Sequence, residues 1–358
     1  MKKKILISTG GSGGHVIPAT IFYEQLKNEY EIFLTTDKRG SKFINLEKFT
    51  ITIINTPKFT ANLFLLPLNL FVLFFSIIRS LIFLKKKKID FLISTGGYMS
   101  LPLCIAAKIF NIKTYLFEPN MVIGRANSFF LKYSNKIFCY SDKIINFPKK
   151  YLNQILLIDP LLRKEFYSIK LSEQKAIDNE INLLIIGGSQ GAKLFDNELK
   201  NSIIDISKKY KLNVCHQTSL INSKSLEDFY KQNNICYELF NFEENVLKFI
   251  SNANLCITRA GASTLSELTF LNIPYLAIPY PSAKDDHQFQ NALYYKNRNC
   301  CWLLKQEDLK NEVLTNNLIN IIENKDDYLA KKNSMKKFSY QNTWNKINEK
   351  LIGTINEN

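Results

Sequence analysis

Ile5-Leu6-Ile7-Ser8-Thr9-Gly10-Gly11-Ser12-Gly13-Gly14-His15-Val16-Ile17-Pro18 reads as an apolar strand, a glycine loop and the start of a helix. Consecutive apolar positions in a short strand mean burial on both faces, the mark of a parallel sheet covered by helices. The same order returns at Asn182 to Ile186, followed by Gly187-Gly188-Ser189-Gln190-Gly191-Ala192. The chain therefore looks like an architectural duplication, with one α/β unit opening at each loop.

Working outward from these stretches, the rhythm is a short apolar run, a loop, then a helix-length segment. Strands are expected at Ile5–Thr9, Glu31–Thr36, Ile51–Asn55, Phe91–Thr95, Thr114–Phe117 and Ile137–Tyr140. The second half repeats the pattern at Asn182–Ile186, Asn213–His216, Cys236–Phe240, Leu255–Thr258, Tyr275–Ile278 and Cys301–Leu304. Asp159-Pro160 follows a short strand and marks the linker, because proline disfavours helix in the residue before it. Domains of 1–158 and 159–334 follow, with a polar helical tail over 335–358. In the tail Met335, Phe338, Trp344, Ile347 and Leu351 recur at near-helical spacing and need a groove to cover.

Hydrophobic residues make up 46% of the 358 and charged residues 22%, a globular composition with enough apolar mass for two cores. The formal charge is +15. Zinc-finger spacing, RNP-like aromatics and a basic heptad helix are missing from the sequence, so nucleic acid is not the expected partner. Much of the charge follows from a Lys- and Asn-rich composition. It also suits an anionic membrane surface. The seven cysteines form no C-x-x-C pair and sit mostly in apolar runs, as reduced core residues do. The N-terminus lacks the apolar region and cleavage site of a signal peptide.

One segment breaks the rhythm. Leu63 to Leu84 is almost continuously apolar and ends in Lys85 to Lys88. Its length approaches a membrane span, but Pro67, Asn69, Ser76, Arg79 and Ser80 interrupt it. A span would also separate strands of one sheet onto opposite sides of the membrane. Besides a true span, two readings compete: a buried helix with a solvated basic end, and a patch resting on anionic lipid over Leu63–Lys88.

The chemistry-bearing residues lie in loops after strands. Glycines let the backbone approach a ligand, and the following helix start offers N–H groups to an anion. The first loop lacks the G-x-G-x-x-G pattern with a distant acidic residue, and it has no Gly-Lys-Ser/Thr. A third strand-to-helix turn runs Arg259-Ala260-Gly261-Ala262-Ser263-Thr264-Leu265-Ser266-Glu267, and Glu267 is expected in the first helical turn. There it either stabilises the helix dipole or accepts from ribose hydroxyls. The three histidines, His15, His216 and His287, each follow a strand. The sequence contains no H-x-x-x-H and no Asp-x-Asp, so neither a metal nor a cofactor is expected.

In combination and order, these motifs closely resemble the bacterial peptidoglycan N-acetylglucosaminyltransferases, which convert lipid I to lipid II. The signposts are Gly10 to His15, Ser94 to Pro102, Glu118-Pro119-Asn120, Arg163, Gly187 to Ala192, His216-Gln217-Thr218, Arg259 to Glu267 and Asp286-His287-Gln288 with Asn291-Ala292. They cover essentially the whole chain. The resemblance implies a GT-B fold: two Rossmann-like domains with parallel sheets facing each other across a cleft, and a last helix packing back on the first. It implies lipid I and membrane binding in the N-terminal domain, and UDP-N-acetylglucosamine, a substrate rather than a cofactor, in the C-terminal one. His15 is then the candidate base, with Glu118 the alternative. Donor contacts fall to Ser12, Gly13, Gly14, Asn120, Arg163, Ser189, Gln190, Glu243, Ala262, Ser263, Thr264, Leu265, Ser266, Glu267 and Gln288. Acceptor contacts fall to Gly10, Gly11, Gly96, Gly97 and Tyr98. Other cell-wall synthesis proteins are candidate partners at the cytoplasmic face of the inner membrane.

The chain departs from the family pattern at Phe117 and Pro119, where the family has His-Glu-Gln-Asn. It also departs at Ile158 to Arg163, at Ser219 and at Glu243. Competing expectations are a related transferase acting on another membrane lipid, and an inactive subunit that only binds a sugar nucleotide.

Overall fold

Ile5, Leu6 and Ile7 are wholly buried, as are Leu184 and Ile185, and burial on both faces of these strands sets the architecture. The computed structural model describes residues 2–57, 64, 66–169, 176–188, 193–241, 243, 246–309 and 312–357. The chain divides into two units, 1–163 with 342–358, and 164–341. The crossings therefore fall at 163/164 and 341/342, where the sequence reading placed them at 158/159 and 334/335. The second shift has a plain cause: Met335 is wholly buried within a helix of the second unit.

The first unit holds strands β1 (Lys4–Ser8), β2 (Glu31–Thr36), β3 (Ile51–Ile53), β4 (Phe91–Ser94), β5 (Lys113–Glu118), β6 (Lys136–Cys139) and β7 (Ile155–Leu157). They form one sheet in the order β3-β2-β1-β4-β5-β6-β7, parallel throughout. Its helices are α1 (Gly13–Leu26), α2 (Leu66–Lys87), α3 (Leu101–Ile109) and α4 (Arg125–Phe130). One face of the sheet packs Leu6, Leu92, Leu116 and Ile137 against Leu103 and Ala107 of α3. β7 is a short edge strand of three residues, too brief to show a pattern in the sequence.

The second unit repeats the plan. Strands β8 (Glu180–Ile186), β9 (Lys211–Gln217), β10 (Cys236–Phe240), β11 (Leu255–Thr258), β12 (Tyr275–Ala277) and β13 (Trp302–Leu303) lie in the order β10-β9-β8-β11-β12-β13, again parallel. Its helices are α5 (Phe195–Glu198), α6 (Lys200–Ser207), α7 (Leu220–Gln232), α8 (Leu247–Ile250), α9 (Ala262–Phe270), α10 (His287–Lys296), α11 (Glu312–Glu323) and α12 (Lys325–Ser339). Both sheets reverse strand order beside their first strand, the Rossmann arrangement.

Helix α2 is amphipathic in the inverted sense. Its buried residues are Ser76, Ser80 and Leu84, one turn apart, and Ser76 Oγ donates to the Asn55 carbonyl at 2.8 Å. The apolar side chains face outward: Phe71 is 61% exposed and Phe75 51%, with Leu68, Leu70, Phe74 and Ile82 also exposed. The buried-helix reading of this segment is thereby overturned. Ser76, Ser80 and Leu84 sit against the unit with Phe83 beside them, while Phe71, Phe74 and Phe75 do not. Strands β3 and β4 flank α2 and lie in one sheet, so α2 returns the chain to the side it left. Leu63 and Leu65 lie outside the described residues.

The last helix, α13 (Trp344–Glu357), belongs to the first unit and packs on α1. Ile347, Leu351, Thr354 and Ile355 form its buried stripe. Gln25 Nε2 donates to the Trp344 carbonyl at 3.3 Å, and Tyr30 Oη donates to Asn356 Oδ1 at 3.0 Å. Lys346 pairs with Asp159 at 3.1 Å. Leu351 is wholly buried, so Leu351→Ala is expected to cost about 2–5 kcal/mol. Hydrogen exchange should then accelerate in β1 and β4 and stay unchanged in β8 and β11. Equal acceleration in both sheets would contradict this placement of α13.

Candidate active site

In the first unit the strand order reverses between β1 and β4, so the loops leaving these strands diverge and open a crevice at the carboxyl end of the sheet. The structure brings two sequence-assigned motifs together there. His15, in the first turn of α1, joins its Nδ1 to the Thr95 carbonyl at 2.8 Å, bridging the loops after β1 and β4. A carbonyl only accepts, so Nδ1 carries the proton of the neutral ring and the basic lone pair is on Nε2. Gly96 and Gly97 adopt φ of 89° and 79°. A Cβ on either would stand 3.4 or 3.3 Å from the His15 ring. Glycine is needed here both for the left-handed backbone and for space.

Asp37, just past β2, was not singled out from the sequence. Its Oδ1 accepts from the amides of Gly11 and Gly40, each at 2.8 Å, and Arg39 Nε donates to Oδ2 at 3.1 Å. Burial opposes its charge, but the two amides and the Arg39 guanidinium hold its carboxyl below the usual carboxylate value. Dinucleotide folds use an acidic residue near this position to hold a ribose. Here it is turned inward to brace the glycine loop. Arg39 lies 5.2 Å from the Tyr98 ring centre, so the acceptor-assigned Gly10, Gly11 and Tyr98 share one cluster with it.

Glu118 ends β5 and is 2% exposed. Four donors converge on it. Asn120 gives its amide at 3.2 Å and Nδ2 at 2.9 Å to Oε1; Gly124 gives its amide at 2.7 Å and Asn127 its Nδ2 at 2.9 Å to Oε2. The carboxylate thus folds the segment from Asn120 to Asn127 around itself. Among the donor-assigned residues of this unit, Ser12 and Gly13 stand at the N-terminus of α1 and Gly14 is exposed beside them. Asn120 is half-buried, and so is Arg163, the last residue before the chain leaves this unit.

In the second unit the order reverses between β8 and β11, and two more assigned motifs meet there. The Gly187 amide donates to Gln217 Oε1 at 3.0 Å. Ser189 and Gln190, with Gly191 and Ala192, lie outside the described residues. After β11, Arg259 is buried. It donates to the carbonyls of Ile278 and Pro279, each at 3.1 Å, and to Gln306 Oε1 at 2.7 Å. Gln288 and Asn291, one turn apart on α10, clamp the Ala260 peptide. Gln288 Oε1 accepts its amide at 3.3 Å and that of Tyr280 at 3.0 Å, while Asn291 Nδ2 donates to its carbonyl at 3.1 Å.

Ala262, Ser263 and Thr264 open α9. Leu265 is wholly buried and its amide donates to Gly261, so it serves the core. Ser266 Oγ donates to the Ala262 carbonyl at 2.8 Å and lies 2.9 Å from Tyr295 Oη. Glu267 is the sixth residue of α9, in its second turn rather than the first, and is only 6% exposed. Helix-dipole stabilisation belongs to the terminal turn, so it does not account for this carboxylate. Glu243 pairs with Lys248 at 3.2 Å on the surface. Among the described residues, no three His, Cys, Asp or Glu side chains are grouped to hold a metal ion.

A buried network joins β9, α5 and α7. His216, wholly buried on β9, has Nδ1 2.8 Å from Tyr230 Oη and Nε2 3.3 Å from Asp196 Oδ1. Thr218 Oγ1 and Asn222 Nδ2 donate to Asp196 Oδ2 at 3.0 and 2.7 Å. Burial lowers the His216 pKa, and Asp196 offsets this only in part. Burial also opposes the Asp196 charge, but its donors hold that carboxyl below the usual range. Both shifts have one sign for stability. The unfolded chain binds protons first, so stability falls as pH drops below the ordinary histidine value near 6.5 and falls further through the carboxylate range. The chain has three histidines, so removing one is readable. Melting temperature should decline from pH 7.5 to 5.5 in the wild type and decline less in His216→Asn. An equal decline in both would remove His216 as the cause.

Comparison with known proteins places these sites in a family. Residues 5–139 match the glycosyltransferase family 28 N-terminal domain, and residues 182–347 match the family 28 C-terminal domain. A UDP-N-acetylglucosamine–N-acetylmuramyl-(pentapeptide) pyrophosphoryl-undecaprenol N-acetylglucosamine transferase of Pelagibacter ubique is 55% identical over 358 residues, all of both chains. The transferase of the same name from Rickettsia felis is 32% identical over 332 residues, covering 90% of this chain and 91% of that one. Among solved structures, Acinetobacter baumannii MurG superposes with a TM-score of 0.75 at 22% identity, covering 98% of this chain and 99% of that one. A UDP-N-acetylglucosamine 2-epimerase shares the fold, with a TM-score of 0.66 at 13% identity over 100% of this chain and 98% of that one. With both of its domains matched and a full-length relative at such identity, the chain belongs to glycosyltransferase family 28, among the N-acetylmuramyl-(pentapeptide) pyrophosphoryl-undecaprenol N-acetylglucosamine transferases.

Proposed function

We propose that the protein transfers N-acetylglucosamine from UDP-N-acetylglucosamine to the C4 hydroxyl of the N-acetylmuramoyl group of lipid I, with inversion, to give lipid II. The observation that carries the mechanism is the hydrogen bond from His15 to the Thr95 carbonyl. It fixes the ring and its tautomer, so Nε2 is the atom that takes a proton. A sugar hydroxyl is a weak nucleophile until its proton is removed during attack. The acceptor O4 attacks the donor's anomeric carbon and its proton passes to His15 Nε2. The bond from that carbon to the UDP oxygen breaks, and UDP leaves with the electron pair. One displacement inverts the anomeric centre and gives a β-1,4 linkage.

The remaining assignments follow from the two glycine loops. Gly10, Gly11, Gly96, Gly97 and Tyr98 face the acceptor. In the second unit, the loop after Gly187 and the start of α9 are assigned to the departing diphosphate, whose charge is then met by helix-start N–H groups and Arg163 rather than by a metal. Glu267 accepts from the ribose hydroxyls. Glu118, engaged by four donors, is the weaker candidate for the base and is assigned to positioning the Asn120 to Asn127 segment. On a lipid I analogue with radiolabelled donor, His15→Ala should lower kcat by about 10²–10⁴-fold and leave UDP affinity unchanged. A near-normal kcat with a raised acceptor KM would make His15 a binding residue and return the base to Glu118.

A soluble nucleotide sugar and a polyprenyl-linked acceptor meet at a membrane surface. We therefore place the protein peripherally on the cytoplasmic face of the inner membrane, with α2 as the contact. The support is its outward phenylalanines ending in Lys85, Lys86 and Lys87. Apolar side chains enter the headgroup boundary while lysines meet anionic lipid. Flotation should be strong with phosphatidylglycerol vesicles, weaker in high salt or with neutral lipid, and lost in a Phe71→Ser/Phe75→Ser double variant. Binding that ignores lipid charge and the double variant alike would refute this contact.

A further inference from the structure

Two adjacent residues at the end of β9 hold the two described shoulders of the second glycine loop. Gln217 accepts the amide of Gly187, where the chain leaves β8. His216 faces Asp196 on α5, where the chain resumes after the loop. Asp196 is also gripped by Thr218 just beyond β9 and by Asn222 on α7. Its neighbour Phe195 packs its ring 4.9 Å from the Arg259 guanidinium, which leads into the turn before α9. His216 Nδ1 lies 2.8 Å from Tyr230 Oη, which ties the ring to α7. Asp196, His216, Thr218 and Tyr230 are all buried. None can reach a ligand directly, yet their bonds fix where the loop ends.

We propose that the buried Asp196–His216 pair is a positioning element for the sugar nucleotide, holding the exit of the second glycine loop in register with Gly187 and Arg259. The inference rests on the donor assignment made above and adds a dependence that assignment does not require. Asp196 accepts from Thr218 Oγ1 and Asn222 Nδ2, and truncating it leaves both donors unsatisfied together. The loop exit is freed, and the donor must order it on binding. The cost appears in donor affinity. The first unit, and with it the acceptor, is untouched.

The test compares UDP affinity by calorimetry with both Michaelis constants. Asp196→Ala should weaken UDP and raise the donor KM by about tenfold or more, with acceptor KM unchanged and kcat at saturating donor within about threefold. Asp196→Asn keeps an oxygen for Thr218 and Asn222 and should recover most of the affinity. Thr218→Val and Tyr230→Phe remove single hydroxyls and should give smaller losses in the same direction, which keeps the test open if Asp196→Ala does not fold. Leu318→Ala, in the core of the same unit on α11, supplies a destabilised control that should bind UDP normally below its melting temperature. Normal UDP affinity in Asp196→Ala overturns the proposal. So does a parallel rise in acceptor KM, or an equal loss of affinity in Leu318→Ala. Failure of the donor assignment looks different: the wild type itself would not bind UDP, or Glu267→Ala would bind it as well as the wild type.

Discussion

A carbonyl at the end of one strand and an imidazole at the start of the helix after another meet across the reversal of strand order in the first unit. That bond, from His15 Nδ1 to Thr95 O, governs much of what surrounds it. It demands two glycines after β4, because any side chain there would press on the ring. It places Gly96 against Asn127, which is itself held by Glu118. It leaves the loop before His15 to be braced from the far side, by Asp37 through the Gly11 amide. A reversal of strand order makes a crevice in any doubly wound sheet. Here the crevice is lined by groups whose orientation is decided before a ligand arrives, as electrostatic catalysis requires.

The second unit solves the same problem with other groups. Gln217 stands to Gly187 as Asp37 stands to Gly11, each taking a loop amide from the neighbouring strand end. The Ala260 peptide is clamped by two side chains of α10, and Arg259 ties three acceptors near the ends of β12 and β13. Two copies of one topology thus carry different polar networks.

Much of this was legible in the residues. The two glycine loops at the ends of apolar strands located both crevices, because backbone freedom and helix starts are local properties. Strands Glu31–Thr36, Cys236–Phe240 and Leu255–Thr258 were bounded correctly, and in Leu255–Thr258 burial along the whole strand leaves a nearly continuous apolar run. What escaped were the long-range pairings. Nothing near Asp37 or Asp196 announces that its carboxylate will collect amides and hydroxyls from distant segments. Glu267 was placed a turn too early because a helix start cannot be fixed from a glycine alone. The orientation of α2 was ambiguous because apolar residues fill most of its circumference. Only the positions of Ser76 and Ser80, one turn apart, show which side meets the protein.

The return of α13 to the first unit bears on how the chain is made. Residues 342–358 complete the cover over α1, yet they are synthesised after everything in the second unit. Domains commonly fold as they emerge from the ribosome, the N-terminal one first. Here the N-terminal unit waits without the partners of Gln25 on α13 until the second unit has been made, while the later unit has all its own elements sooner. A premature stop after Gln341 would leave the second unit whole and the first unit permanently unfinished.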